Sequence, residues 1–141
     1  MECEFPKENA TSDEIADILR TTKTIAVVGL SPKPERPSHG VTLYMMDQGY
    51  EIIPVNPGQS EIFGKKSYKT LLEIPGRVDM VNIFREPSAV PDIVDQAIAK
   101  KAKVIWMQEG IVHNEAAEKA RAAGLKVVMN KCLYKEHARR A

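Results

Sequence analysis

The sequence predicts an α/β fold, in which a doubly wound, five-stranded parallel sheet is covered by helices on both faces. Five β-rich runs recur along the chain, and each gap between them can hold the crossover helix that parallel strands require. The runs are largely continuous apolar stretches, as in strands buried on both faces. Helix start and stop signals fall in the gaps. The runs are Thr24–Val28, Glu51–Val55, Val78–Ile83, Lys103–Met107 and Lys126–Met129.

The first two helices are indicated by residues at their ends. Thr11, with Glu14 three positions later, has the capping-box pattern that begins a helix ahead of the first strand. Ser38 is predicted to cap a second helix, which Gly49 ends before the second strand.

Three further helices are predicted between the later strands. A short one covers Tyr68–Glu73, and another extends over Pro91–Lys101 with its proline in the first turn. The last covers Asn114–Ala123, begins at an asparagine cap and stops at Gly124. With right-handed crossovers, this alternation predicts strand order 3-2-1-4-5 when the five strands are numbered along the chain.

Length and composition indicate one domain over residues 1–141, with residues 1–10 as a flexible N-terminal segment. The net charge of +1 argues against binding to nucleic acid or to a membrane surface. No apolar run is long enough to cross a bilayer, and the charged N-terminus lacks the apolar stretch of a secretory signal. Cys3 and Cys132 form no Cys-x-x-Cys pair, and the histidines have no metal-ligand spacing. We therefore expect a cytoplasmic protein without a metal site.

The ligand site is expected at the carboxyl edge of the sheet, beside the first strand, where the direction of winding changes. The segments that follow the first four strands supply the candidates, which are Gly29–Gly40, Asn56–Gly58, Phe84–Pro87 and Gln108–Gly110.

The segment Gly29–Gly40 is the most informative of the four. It joins a strand to a helix N-terminus, where free N–H groups and the helix dipole favour an anion such as phosphate. Gly29 allows the backbone to turn and to approach a ligand closely, and three prolines within six residues pre-shape the loop. The side chains suited to an anion are Ser31, Lys33, Arg36, Ser38 and His39. We interpret the segment as a phosphate-binding loop; a plain turn with solvated charges is the alternative.

The common dinucleotide and nucleotide fingerprints are absent. The pattern Gly-x-Gly-x-x-Gly would need glycine at Ser31 and at Pro34, and an NAD-binding domain would have an acidic residue where Asn56 stands. No Gly-Lys-Ser or Gly-Lys-Thr occurs. A small NAD(P)- or nucleotide-dependent enzyme with a degenerate phosphate loop stays open as the alternative function.

A series of short motifs extends over nearly the whole chain, from about Ile15 to His137. The motifs are Ile25–Ser38, Gly49-Tyr50, Ile53–Pro57, Val81–Arg85, Trp106–Gly110, Asn130–Cys132 and Glu136-His137. Together they resemble the stand-alone CoA-binding protein family. The Rossmann-like domain of that family is similar to the CoA-binding domain of succinyl-CoA synthetase and of ADP-forming acyl-CoA synthetases.

The resemblance implies that the ligand is coenzyme A or an acyl-CoA. It assigns the CoA phosphates to the loop residues Gly29, Leu30, Ser31, Lys33, Arg36, Ser38 and His39. It places Asn56 and Pro57 near the adenosine, and Ile83, Phe84 and Arg85 along the nucleotide or the pantetheine. The far wall would consist of Gln108, Glu109 and Gly110.

The larger synthetases need a phosphorylated histidine in a second domain and a nucleotide-grasp partner, and neither is expected here. The resemblance therefore implies a carrier, sensor or regulatory module and not a complete enzyme. A partner enzyme, the oligomeric state and the acyl group stay open.

No catalytic residue is predicted. Glu109 is a single carboxylate at a strand end and not an acid–base pair. Cys132 is interpreted as packed against the sheet edge, because no helix N-terminus is predicted beside it. The alternative is a reactive thiolate, with a pKa lowered by Lys131, Lys135 and His137.

Overall fold

The computed structural model describes residues 4–141. In chain order, its helices and strands are α1 (Ser12–Thr21), β1 (Thr24–Val28), α2 (Pro37–Asp47), β2 (Glu51–Val55), β3 (Glu61–Ile62), β4 (Lys65–Lys66), β5 (Met80–Ile83), α3 (Val90–Ala99), β6 (Val104–Met107), α4 (Asn114–Ala122), β7 (Lys126–Val128) and α5 (Leu133–Arg140). Single 3-10 turns cover Leu71–Glu73 and Pro87–Ala89.

The main sheet has five parallel strands in the order β2-β1-β5-β6-β7, and β3 and β4 form a separate antiparallel pair. The predicted fold class, a doubly wound α/β fold on a parallel sheet, is confirmed. The predicted strand order 3-2-1-4-5 is wrong, because the third main strand, β5, pairs with β1 and not with β2.

Pro54 explains why β2 is an edge strand. The carbonyl oxygen of Pro54 faces away from β1 and accepts a hydrogen bond from the N–H of Tyr68 at 3.0 Å. A further strand on that side of β2 would also need an N–H from Pro54, which proline lacks. The third main strand therefore pairs with the free side of β1, where the register joins Val28 to Ile83.

Helices cover both faces of the sheet and form two separate cores. Alpha-helices α1, α2 and α5 lie on one face, where apolar residues such as Ile15, Met45 and Leu133 are buried with Trp106. Helices α3 and α4 lie on the other face, where Val94 and Ala117 are buried. The change of face follows the change of winding direction between β1 and β5, so the switch point lies between these two strands.

Apart from shifts of one or two residues at the ends of α3 and α4, the helices differ from the sequence-based expectations at four places. The capping box of Thr11 and Glu14 is confirmed. Residue Ser38 does not cap α2, since the cap is Arg36 and Pro37 occupies the first turn. His113, and not Asn114, caps α4, because its Nδ1 accepts the N–H of Ala116 at 3.1 Å.

The other two differences concern helix length and number. The helix predicted over Tyr68–Glu73 is reduced to the 3-10 turn Leu71–Glu73, since Pro75 and Gly76 follow it closely. The predictions missed α5, which follows the last strand after a short connection.

The N-terminal residues that the structure describes are tied to the opposite end of the chain. The backbone N–H of Lys7 donates to Oδ1 of Asn114 at 2.9 Å, and Nδ2 of Asn9 donates to the carbonyl oxygen of Met129 at 2.9 Å. The flexibility expected of residues 1–10 stays a prediction; Cys3 lies outside the described residues. Across residues 4–141, no helix has both the length and the apolar character needed to span a membrane.

Candidate ligand-binding site

The loops that follow β1 and β5 meet at the carboxyl edge of the sheet. Gly29 has a φ of +88°, and a Cβ at this position would lie 2.5 Å from the carbonyl oxygen of Phe84. The N–H of Phe84 donates to the carbonyl oxygen of Val28 at 2.9 Å, which extends the pairing of the two strands. The switch point of the sheet therefore has no room for a side chain at Gly29, because the backbone of Phe84 lies against it. The close approach of Gly29 to a ligand stays a prediction.

The loop that follows Gly29 is held by its own hydroxyl groups. The N–H of Ser31 donates to Oγ of the buried Ser38 at 2.9 Å, and the N–H of Lys33 donates to Oγ of Ser31 at 3.1 Å. The Nδ1 of His39 lies 3.2 Å from the carbonyl oxygen of Ser31. Both hydroxyls thus shape the loop, and each still has a proton to donate.

The loop presents positive charge at the start of α2. In the part of the chain that the structure describes, no side chain caps the first turn of this helix, where Pro37 has no N–H and the N–H of His39 donates to the carbonyl oxygen of Arg36 at 3.0 Å. Lys33 and Arg36 are exposed, and within residues 4–141 neither lies within salt-bridge distance of a carboxylate. Free cations beside a helix N-terminus favour a bound anion.

Asn56 connects the loops that follow β1 and β2. Its Nδ2 donates to the carbonyl oxygen of Leu30 at 2.9 Å, and its Oδ1 accepts the N–H of Gly58 at 2.8 Å. The amide therefore acts as a tie between two strand ends, because only a side chain with both a donor and an acceptor can make these two hydrogen bonds.

Two cavities open at this edge, and Arg85 borders both. The larger has a volume of about 430 Å³ and lies between the start of α2 and the ends of β5, β6 and β7. Its walls consist of Pro37, Val41, Phe84, Arg85, Glu86, Pro87, Gln108, Glu109, Gly110, Ile111 and Cys132. The smaller, of about 230 Å³, lies on the other side of Arg85 and includes Pro57. We refer to the larger one as the edge cavity.

The structure brings most of the sequence-predicted residues to one edge, in different roles. Phe84, Arg85, Gln108, Glu109 and Gly110 line the edge cavity. Gly29, Ser31, Lys33 and Arg36 line neither cavity and belong to the loop that ends at Pro37. Ser38 and His39 also line neither cavity and lie in the first turn of α2. The side chains of Leu30 and Ile83 are fully buried in the two cores.

Helix α5 adds residues to the site that sequence reasoning did not place there. Cys132 occupies the N-cap position of α5, is 7% exposed and lines the edge cavity. The expectation that no helix begins at this point is therefore wrong. One turn further, Nζ of Lys135 lies 3.0 Å from Oε2 of Glu109, and this carboxylate raises the pKa of Lys135.

A larger recess, of about 540 Å³, lies at the opposite edge of the sheet. It is bordered by the exposed Asp17, Arg20 and Lys126 and by the C-terminal ends of helices α3 and α4. We favour the carboxyl edge as the ligand site despite its smaller volume, because parallel sheets bind ligands at the carboxyl ends of their strands.

A Rossmann-like fold with cationic groups at a helix N-terminus is typical of the class of proteins that bind phosphate-bearing ligands. Residues 23–138 match the family model described as CoA binding domain. The chain belongs to this family.

Comparisons with individual proteins agree with this assignment. The uncharacterized protein YneT of Bacillus subtilis is 43% identical over 131 residues, which cover 93% of this chain and 97% of that protein. The subunit alpha of acetate–CoA ligase [ADP-forming] I from Pyrococcus furiosus is 33% identical over 128 residues, with 79% of this chain and 28% of the subunit covered. The chain thus corresponds to little more than a quarter of that subunit.

Solved structures have the same fold over the whole domain. A hypothetical protein from Pyrococcus horikoshii OT3 has a TM-score of 0.91 and 42% identity, with 99% of this chain and 98% of that chain covered. The structure described as cell-free ID.343 from Thermus thermophilus has a TM-score of 0.87 and 39% identity, with 92% of this chain and 98% of that chain covered.

Proposed function

We propose that this protein binds coenzyme A or an acyl-CoA at the carboxyl edge of its sheet and serves as a carrier, sensor or regulatory module. The observation that carries the proposal is the adjacency of two features. A loop with the cations Lys33 and Arg36, which have no carboxylate partner among residues 4–141, leads into α2, and Pro37 at the start of α2 borders the edge cavity. One end of the site thus suits phosphate, and the other is a largely apolar cavity.

Coenzyme A has the chemistry to fit both features. Its nucleotide end carries a diphosphate and a 3′-phosphate, and its pantetheine arm is a flexible chain with two amides and a terminal thiol. The cations would face the phosphates, and the arm would enter the edge cavity between Phe84, Val41 and Gly110. The volume of about 430 Å³ lies within the range of small-molecule sites.

Binding without ligase chemistry is the function that we propose. The ligase subunit from Pyrococcus furiosus is named for a CoA ligase activity, and the part of it that is similar to this chain is 28% of its length, so its named activity is not carried over to this chain. The proposal includes a cytoplasmic location, in keeping with Cys132, which forms no disulfide within residues 4–141 and whose thiol a reducing compartment would maintain.

Thermal unfolding with a panel of cofactors tests the proposal. The panel comprises CoA, acetyl-CoA, dephospho-CoA and NAD⁺ in low-salt buffer, after removal of any ligand that co-purifies. At 100 times its Kd, a ligand adds about 2.7 kcal/mol to the free energy of unfolding, which corresponds to a rise in Tm of about 5–10 °C. We expect this rise with CoA, a smaller one with dephospho-CoA and none with NAD⁺. Equal shifts with NAD⁺ and CoA, or a shift with NAD⁺ alone, would favour a nucleotide-dependent enzyme instead.

A matched pair of charge reversals locates the site. Arg36→Glu should reduce the CoA-induced shift because the residue borders the proposed phosphate site. Lys126→Glu makes the same change in net charge at the opposite edge of the sheet, so it should leave the shift within about 1 °C of the wild type. A similar loss in both variants would mean that net charge, and not the loop, governs binding.

A further inference from the structure

Asn82 is a buried amide in the middle of the sheet, where its neighbours on the same face are apolar. It is 1% exposed, and its partner in the register of β5 and β6 is the fully buried Trp106. A polar group in such a place is unfavourable unless it is hydrogen-bonded. Its Oδ1 accepts a hydrogen bond from Nε2 of Gln108 at 3.0 Å.

Gln108 connects this buried amide to the edge cavity. It follows β6 and is only 4% exposed, yet it belongs to the cavity wall. Side chains alternate along strands, so Asn82, Trp106 and Gln108 all point to the face that α2 covers. The edge cavity lies on this face, because Val41 of α2 forms another part of its wall.

The hydrogen bond between the two amides leaves one atom of Gln108 without a protein partner. Within residues 4–141, no group donates to Oε1 of Gln108. Across the same residues, Oγ1 of Thr42 is the one fully enclosed side-chain polar atom without a hydrogen bond. The Oε1 of Gln108 is therefore not sealed inside the protein, and the edge cavity is the open space beside this residue.

We propose that Asn82 is a positioning residue that orients Gln108 to read the pantetheine arm, an inference that rests on the proposed binding of CoA. Asn82 fixes the amide of Gln108, and Oε1 of Gln108 accepts a hydrogen bond from an amide N–H of the arm. The pair thereby distinguishes a ligand with an amide-bearing arm from a nucleotide without one. Because the hydrogen bond to Asn82 orders the amide of Gln108 before the ligand binds, less conformational entropy is lost on binding.

The test compares two ligands on three variants. Adenosine 3′,5′-bisphosphate represents the nucleotide end of CoA without the arm, so the Kd values of both ligands are measured by calorimetry. Gln108→Met should weaken CoA binding about fivefold to tenfold, as expected for one hydrogen bond, and should leave the bisphosphate within about twofold. Asn82→Leu should produce the same selective loss, and the double variant should lose no more than Gln108→Met alone.

Several outcomes would overturn the proposal. These are an equal loss for both ligands, losses that add in the double variant, or unchanged CoA binding in Gln108→Met. Thermal unfolding of each free variant monitors the fold, and Asn82→Ser replaces Asn82→Leu if the latter does not fold. If the wild type binds neither ligand, the proposed function itself fails. If it binds both with equal affinity, only the proposed hydrogen bond between Gln108 and the pantetheine arm is refuted.

Discussion

The backbone of Gly29 contacts that of Phe84 so closely that a Cβ added at Gly29 would lie 2.5 Å from the carbonyl oxygen of Phe84. This contact joins the ends of β1 and β5 at the point where the winding of the sheet reverses. The loop that carries Lys33 and Arg36 and the segment that carries Arg85 therefore have a fixed relation to one another. Any change at Gly29 should affect the fold and the site together.

Gly29→Ala should reduce the free energy of unfolding by about 2–4 kcal/mol, because the φ of +88° is strained for alanine and the Cβ meets a backbone oxygen. Urea denaturation at pH 7 measures this loss. Gly40→Ala is the matched control in the neighbouring helix α2, since a Cβ at this position would have no atom within 4 Å. It should stabilise the protein by about 0.5–1 kcal/mol. A similar loss of unfolding free energy in both variants would contradict a close contact between Gly29 and Phe84.

Asn56→Asp should reduce the free energy of unfolding by about 1–3 kcal/mol. A carboxylate cannot donate to the carbonyl oxygen of Leu30, and it would place negative charge against that oxygen. Gln59→Glu makes the same chemical change three residues away on an exposed side chain, and its unfolding curve should match that of the wild type. If the two variants have equal midpoints in urea, the tie between the loops contributes nothing to stability.

Cys132 should be protected from alkylation by a bound acyl-CoA, because its side chain lines the edge cavity. The experiment uses Cys3→Ser, which leaves Cys132 as the one thiol of the chain, and acetyl-CoA, whose own thiol is blocked. At 100 times the Kd, complete shielding would slow the reaction with iodoacetamide up to about 100-fold. NAD⁺ serves as the control ligand and should not change the rate. An unchanged rate at an acetyl-CoA concentration that raises Tm would mean that the arm does not enter this cavity.

Asp79 should make the stability of the protein depend on pH in the acid range. Burial alone would raise the pKa of Asp79, but the N–H groups of Lys23 and Thr24, which donate to its Oδ2 at 2.9 and 3.2 Å, lower it below its usual value together with nearby Lys103. A lowered pKa in the folded state contributes stability above the unfolded value of about 3.9, and that contribution is lost as pH falls through the folded pKa.

Asp79→Asn should therefore cost about 1–2 kcal/mol at pH 7, and the difference from the wild type should shrink below about pH 4. Chemical denaturation from pH 7 down to about pH 3 follows this change. Asp47→Asn is the control, because Asp47 is exposed at the end of α2; its curve should parallel that of the wild type. A constant difference between Asp79→Asn and the wild type across this range would exclude the ionic contribution.

Much of this fold could be predicted from the sequence, since buried parallel strands are continuously apolar and each is followed by a helix signal. The strand order could not be obtained from these patterns, because they do not say on which side of β1 a strand pairs. The proline at position 54 was the available signal, since it restricts β2 to an edge. Helix α5 has eight residues, and only Leu133 and Glu136 are buried, so the apolar residues that indicate the other helices are nearly absent here.

The candidate site was predicted at the level of segments and less well at the level of roles. Gly29 could be identified because its position after a strand and before a helix requires a tight turn. Asn56 was interpreted through its neutral charge, but its hydrogen bond to Leu30 depends on the approach of two distant loops. Cys132 lines the edge cavity because α5 begins there, and no local sequence pattern indicates that placement.

Trp106 gives this protein a built-in optical probe. It is the single tryptophan of the chain and fully buried, and its Nε1 donates to the carbonyl oxygen of Lys131 at 2.8 Å. Its fluorescence therefore has one source, in a dry and hydrogen-bonded environment at the base of the connection to α5. Loosening of that connection would admit water to the indole and move its emission to longer wavelength, without any label attached to the chain.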